Sequence, residues 1–178
     1  QKHKPWVISI NSRIVLITTG ILLFGGTLLF YIFEYNNTLA EHNAFGKIVT
    51  AFFGATTPRT AGFNTVDTAA MNFYTIMLVF FLMWVGASPA STGGGIKTST
   101  FAISVLNIFS IARGKNRIEI YRREISDDSV RRSYATIALS AMILGLSIIF
   151  IRYFDGAIDL KAIAFESFSA LGTVGLSL

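Results

Sequence analysis

The chain has 178 residues, of which 52% are hydrophobic and only 14% charged, with a mean hydropathy of +0.57. A soluble domain carries about a quarter charged residues, and a core this small could not bury several helices apolar on every face; a lipid bilayer is the expected surrounding. The net charge of +5 does not point to nucleic acid, because most Lys and Arg fall in Lys2 to Arg13 and Arg113 to Arg132, each directly before an apolar run, as the positive-inside rule describes.

Cysteine is absent, so neither a disulfide framework nor a thiolate metal site can be argued. His3 and His42 lie far apart, with no carboxylate at ligand spacing. No nucleophile–base pair is visible, so an enzyme is not expected. Both basic stretches are expected on the cytoplasmic side of the cell membrane.

Residues 1–12 read as a cytoplasmic lead-in. Ile14 to Phe33 is the first span, and its roughly 20 residues cover about 30 Å, the hydrocarbon thickness. Gly20, Gly25 and Gly26 lie within it, where small residues let helices approach closely. Ala44 to Thr57 is apolar but too short to cross, and TPRTAGFNTVD follows, with Pro58 and Gly62 breaking any helix. A short helix followed by an irregular polar strand marks a re-entrant segment. Such backbone persists at membrane depth only where protein encloses it or it lines water.

Asn72 to Ala112 would be about twice too long for one span. GASPASTGGGIKTS, Gly86 to Ser99, breaks it into the arms Phe73 to Val85 and Thr98 to Ala112. We read one interrupted crossing that completes a unit over residues 13–112. Residues 113–133 form the most polar stretch, a cytoplasmic loop. Residues 134–178 begin a second unit, with a span at Tyr134 to Phe154 and a short helix, LKAIAFESFSAL, that runs into GTVGLSL.

The order span, short helix, glycine-containing strand thus occurs twice, and the copies align without gaps at a separation of about 113 residues. Thr60, Ala61, Gly62, Phe63 and Asn64 face Thr173, Val174, Gly175, Leu176 and Ser177; Ala51 and Phe52 face Ala164 and Phe165. Both spans leave the cytoplasm from a basic flank, both short helices dip in from the far side, and the broken helix returns.

These residues resemble the Trk/Ktr/HKT superfamily of cation transporters. TPRTAGFNTVD is similar to the pore loop of that family's third unit, SALGTVGLS to that of its fourth, and GASPASTGGGIKTST to the intramembrane loop of its third unit. KNRIEIYRREIS is closer to the KtrB branch than to plant HKT proteins. The resemblance implies an all-α polytopic fold of membrane helix–re-entrant pore helix–membrane helix repeats, four to a pore. This chain would then hold the third unit and most of the fourth, a fragment that should not conduct alone.

The implied function is uptake of K⁺, or of Na⁺ and K⁺, through a selectivity filter, with no cofactor beyond the permeating ion. Backbone carbonyls of Thr60, Ala61, Gly62 and Phe63, and of Thr173, Val174, Gly175 and Leu176, would replace the ion's water. Gly62 and Gly175 carry most of this expectation, since the geometry calls for unusual φ and close backbone approach. The short helices would aim their C-terminal dipoles at the same place. Glu166 and Arg59 are expected to brace the structure.

Gly93-Gly94-Gly95-Ile96-Lys97-Thr98 is not a phosphate loop, because Ile96 separates glycine from lysine and no strand precedes it. We read a gate beneath the filter: Gly93, Gly94 and Gly95 supply mobility, Ser88, Ser91 and Thr92 wettability, and Lys97 a charge opposing the cation. The resemblance further implies a cytosolic nucleotide-binding regulatory ring and a homodimer of the full-length subunit. The rival from another class is a proton- or sodium-coupled secondary transporter with broken helices, which would need ionisable ligands at midplane; no acidic residue sits at either break.

Overall fold

The computed structural model describes residues 9–114, 119–120 and 123–178. The lead-in before Ser9 and part of KNRIEIYRREIS lie outside the described residues. Among the described residues six helices follow in order, with one two-residue antiparallel pair (β1, Glu119–Ile120; β2, Arg123–Glu124) between the fourth and fifth. The expectation of an all-helical membrane architecture holds.

The first, second and fifth helices begin at a residue whose side chain caps them. α1 (Ile10–Glu34) is capped by Ser9, whose hydroxyl accepts from the Ser12 N–H at 3.1 Å. Its 25 residues extend about 38 Å. α2 (Ala44–Thr56) is capped by Asn43, which accepts from the Gly46 N–H at 2.7 Å, and it stops just before Pro58. α3 (Phe73–Trp84) and α4 (Thr98–Ala112) are the two arms of the broken crossing.

The second unit departs from expectation at its start. α5 (Asp127–Phe154) begins seven residues before Tyr134, so the polar stretch is partly helix. Ser126 caps it, accepting from Ser129, and Asp127 and Asp128 occupy the first turn, where they complement the helix dipole. Hydropathy cannot register such a start. At 28 residues, about 42 Å, α5 exceeds the bilayer core and projects from it. α6 (Leu160–Gly172) is the second short helix.

Packing joins the units through α3. Ile76, Val79 and Met83 of α3 form one buried cluster with Phe165 of α6 and with Val174 and Leu176 beyond it. Phe80 stacks on Phe168 with ring centroids 4.8 Å apart. A second cluster holds Leu22, Ala55, Leu82 and Val85, and a third Phe30, Leu39 and Ala51. Lipid offers no hydrophobic gain between helices, so close van der Waals contact must hold them, and glycine permits it. A Cβ at Gly26 would lie 3.3 Å from that of Ala55, and one at Gly54 would stand 2.6 Å from the Phe30 ring.

Among the described residues α1 and α5 are long and apolar enough to cross a membrane, and only 22% and 11% of their apolar stretches are buried. A soluble core helix would be mostly buried. Here Ile21, Phe24, Leu139, Met142 and Ile149 face outward, as lipid contact requires.

Candidate functional site

The two short helices end at two strands that the fold places side by side. A Cβ at Gly62 would lie 2.0 Å from the Val174 carbonyl oxygen and 3.6 Å from Cα of Gly175. The residues paired by sequence separation therefore meet in space. Their conformations match as well. Thr60 and Gly62 have φ of 70° and 72°; Thr173 and Gly175 have 50° and 87°. Left-handed backbone thus recurs at every second residue in both strands.

Threonine is β-branched and resists this region, so two such outliers at equivalent places each hold about 1–3 kcal/mol of strain. Such strain persists only where surroundings enforce it. The enforcing contacts come from the short helices. In the second unit the Ser169 carbonyl accepts from the Val174 N–H at 2.9 Å. The Ser169 hydroxyl accepts from the Gly175 N–H at 3.2 Å and donates to the Leu176 carbonyl at 2.7 Å. In the first unit the Thr57 carbonyl accepts from Ala61 and Gly62, both at 3.1 Å, and its hydroxyl donates to the Phe63 carbonyl at 2.7 Å.

One detail of the sequence reading changes, the gap-free alignment. Thr57 and Ser169 do the same work, yet they lie one residue closer in sequence to each other than Gly62 and Gly175 do. Burial agrees with that shift inside the helices. Ala51 and Ile163 are both buried, as are Ala55 and Ser167, whereas Ala164, the expected partner of Ala51, is only half-buried. The copies therefore match with one residue inserted between helix and strand in the second unit.

The carbonyls divide into two groups by their hydrogen bonds. Those of Phe63 and Leu176, expected among the ion's ligands, accept hydroxyl hydrogen bonds from their own short helices and pin the strands. Among the described residues nothing donates to the carbonyls of Thr60, Ala61, Gly62, Thr173, Val174 and Gly175. Beside the second strand lies an open cavity of about 420 Å³, lined by Glu166, Ser169 and the strand itself.

Beneath the strands runs the loop that interrupts the crossing. Gly94 donates its N–H to the Thr173 hydroxyl at 2.8 Å, and Gly95 to the Leu171 carbonyl at 3.1 Å. A Cβ at Gly93 would lie 2.8 Å from the Thr60 hydroxyl oxygen. The glycines of this run are thus needed for close approach. Lys97 folds its ammonium over the loop and donates to the Ser91 and Gly93 carbonyls. Ser91 and Thr92 are exposed, Ser88 half-buried. Arg59 reaches the Gly86 carbonyl at 3.5 Å, a long contact that ties strand to loop.

Glu166 accepts a hydrogen bond from the Ser177 hydroxyl. Glu34 is legible in the sequence only as an acidic edge to the first span. It is fully buried and accepts from Asn37, Thr38, Asn72 and Thr75. Among the described residues no cluster of three His, Cys, Asp or Glu side chains that could hold a metal ion occurs.

The chain is similar to known proteins over nearly its whole length. Residues 6–178 match the family TrkH, described as a cation transport protein. The chain is 34% identical over 180 residues to the potassium/sodium uptake protein NtpJ of Enterococcus hirae, covering 99% of this chain and 40% of that protein. It is 37% identical over 172 residues to the Ktr system potassium uptake protein B of Bacillus subtilis, covering 96% and 38%. The crystal structure of the potassium transporter TrkH from Vibrio parahaemolyticus superposes with a TM-score of 0.67 at 17% identity, over 94% of this chain and 37% of that one, and so shares the fold. The chain spans about two fifths of the length of the curated relatives it matches.

Proposed function

Because this chain belongs to the TrkH family of cation transport proteins, we propose that it supplies two walls of a filter through which K⁺, or Na⁺ and K⁺, enters the cell. The observation that carries the proposal is the pair of adjacent strands with matched left-handed Thr and Gly residues, whose six carbonyls have no donor among the described residues. Carbonyl oxygens at close quarters replace an ion's hydration shell. The ligand set is Thr60, Ala61 and Gly62 with Thr173, Val174 and Gly175; Phe63 and Leu176 fix the strands' outer ends. Residues Ser88 to Lys97 form the gate. We read the chain as a transporter and not an enzyme.

In a complete subunit, further units close the filter, and the subunit sits in the plasma membrane as a homodimer on a cytosolic nucleotide-binding ring. The polar stretch before α5 is the contact for that ring. The rival reading in its proton-coupled form predicts an ionisable ligand; none of the six residues of the ligand set carries one.

Flux measured in proteoliposomes bearing the complete subunit tests the reading. K⁺ uptake should follow the K⁺ gradient and membrane potential alone. Uptake that instead requires an imposed proton or Na⁺ gradient would establish coupled transport.

Orientation is tested by labelling single cysteines, with no native cysteine in this chain to interfere. Glu41 and Asp128 are both exposed, in the turn before α2 and in the first turn of α5. Glu41→Cys should react from outside and Asp128→Cys from the cytoplasm. Reaction of both from one side would overturn the topology. Asn37 is a poorer position, because its amide donates to Glu34 and to the Ala70 carbonyl.

A further inference from the structure

The buried carboxylate of Glu34 gathers three pieces of chain at the outer end of the first unit. Its Oε2 accepts from Asn37 Nδ2 at 2.8 Å and from the Thr38 hydroxyl at 2.8 Å, both in the turn after α1. Its Oε1 accepts from the Asn72 N–H at 2.8 Å and from the Thr75 hydroxyl, at the start of α3. Asn37 also donates to the Ala70 carbonyl at 2.7 Å. A carboxylate removed from water is stable only with such a set of donors. The segment between the first strand and α3 is therefore held at its far end by Glu34, together with Asn37 on the Ala70 carbonyl and the Asn72 side-chain amide on the Phe33 carbonyl.

That same segment reaches across to the second unit. Thr68 is buried, and its hydroxyl donates to the Ser177 carbonyl at 2.6 Å. Ser177 lies two residues beyond Gly175, and its own hydroxyl is held by Glu166. We infer that Thr68 and Glu34 are positioning residues for the filter: Glu34 fixes the segment, and Thr68 transmits its position to the outer end of the neighbouring unit's strand. The inference rests on the filter reading above.

A strand freed at its outer end holds its carbonyls less firmly at the spacing a large cation needs. Loss of the one hydrogen bond corresponds to about a three- to tenfold change in an equilibrium. The test uses the complete subunit in proteoliposomes, with K⁺ uptake and Na⁺ competition as readouts. Thr68→Val, which keeps the shape and deletes the donor, should raise KM for K⁺ and lower K⁺ over Na⁺ preference by that factor, with Vmax little changed. Thr68→Ser should restore both, and Glu34→Gln should move both in the same direction as Thr68→Val. Thr27→Val, which removes only a bond to the Leu23 carbonyl within α1, should move neither.

Wild-type KM and preference in Thr68→Val would overturn the inference while leaving the filter intact. Equal loss of Vmax in Thr68→Val and Thr68→Ser, with KM unchanged, would reduce Thr68 to a folding role and also overturn it. Absence of K⁺ flux in the wild type would instead remove the filter reading on which the inference stands. A transport-independent measurement covers poor expression: K⁺ should protect the solubilised wild type against heat at lower concentration than it protects Thr68→Val, and identical protection curves would overturn the inference.

Discussion

Gly62→Ala in the complete subunit should reduce K⁺ uptake by about a hundredfold, while Gly20→Ala leaves it within about twofold. Two costs add at Gly62. Its φ of +72° penalises any side chain by about 1–2 kcal/mol. The added Cβ would also stand 2.0 Å from the Val174 carbonyl oxygen, so one strand must move. Overpacking of that kind costs about 1–3 kcal/mol, and each 1.4 kcal/mol is tenfold in an equilibrium. A methyl at Gly20 meets nothing within 4 Å and favours the helix. Gly54 is no neutral comparison, because a Cβ there would strike the Phe30 ring. Both proteins must be present in the membrane at equal level. Equal uptake by the two variants would remove Gly62 from the filter.

Much of the architecture is legible in the sequence because the bilayer imposes lengths. A run of about 20 apolar residues, a run too short to cross and a run twice too long have few solutions once unpaired backbone is forbidden in lipid. The limits of α2, α3, α4 and α6 follow closely. The start of α5 is not legible from hydropathy, because Ser126, Asp127 and Asp128 favour a helix through capping and dipole terms that an apolar window counts as a loop.

Within the site, Gly62 and Gly175 can be chosen since glycine is the residue that adopts positive φ freely. Thr60 and Thr173 take the same conformation against their intrinsic preference, and no local rule announces that. The hydroxyl clamps of Thr57 and Ser169, the bond from Thr68 to Ser177 and the donors around Glu34 join residues by tertiary contact. Periodicity carries no information about such pairs. The triple glycine reads in the sequence as a source of mobility, whereas the structure gives each of its members a close neighbour.

Deleting Gly93 to Lys97 from the complete subunit should raise flux several-fold while leaving K⁺ over Na⁺ preference within about twofold. Gly94 to the Thr173 hydroxyl and Gly95 to the Leu171 carbonyl tie the loop to the second unit, while Lys97 folds it on itself through the Ser91 and Gly93 carbonyls. Each such bond contributes about 0.5–1.5 kcal/mol net, and on the gate reading proposed above they set a margin that opening must overcome. Removing the segment removes that margin and the lysine's charge with it. The second strand keeps its own supports, because Val174, Gly175 and Leu176 are tied to Ser169 and not to the loop. Ion preference should therefore survive. Loss of transport with normal insertion would make the loop a brace for the strands above it. A changed preference at unchanged flux would place its carbonyls among the ion's ligands.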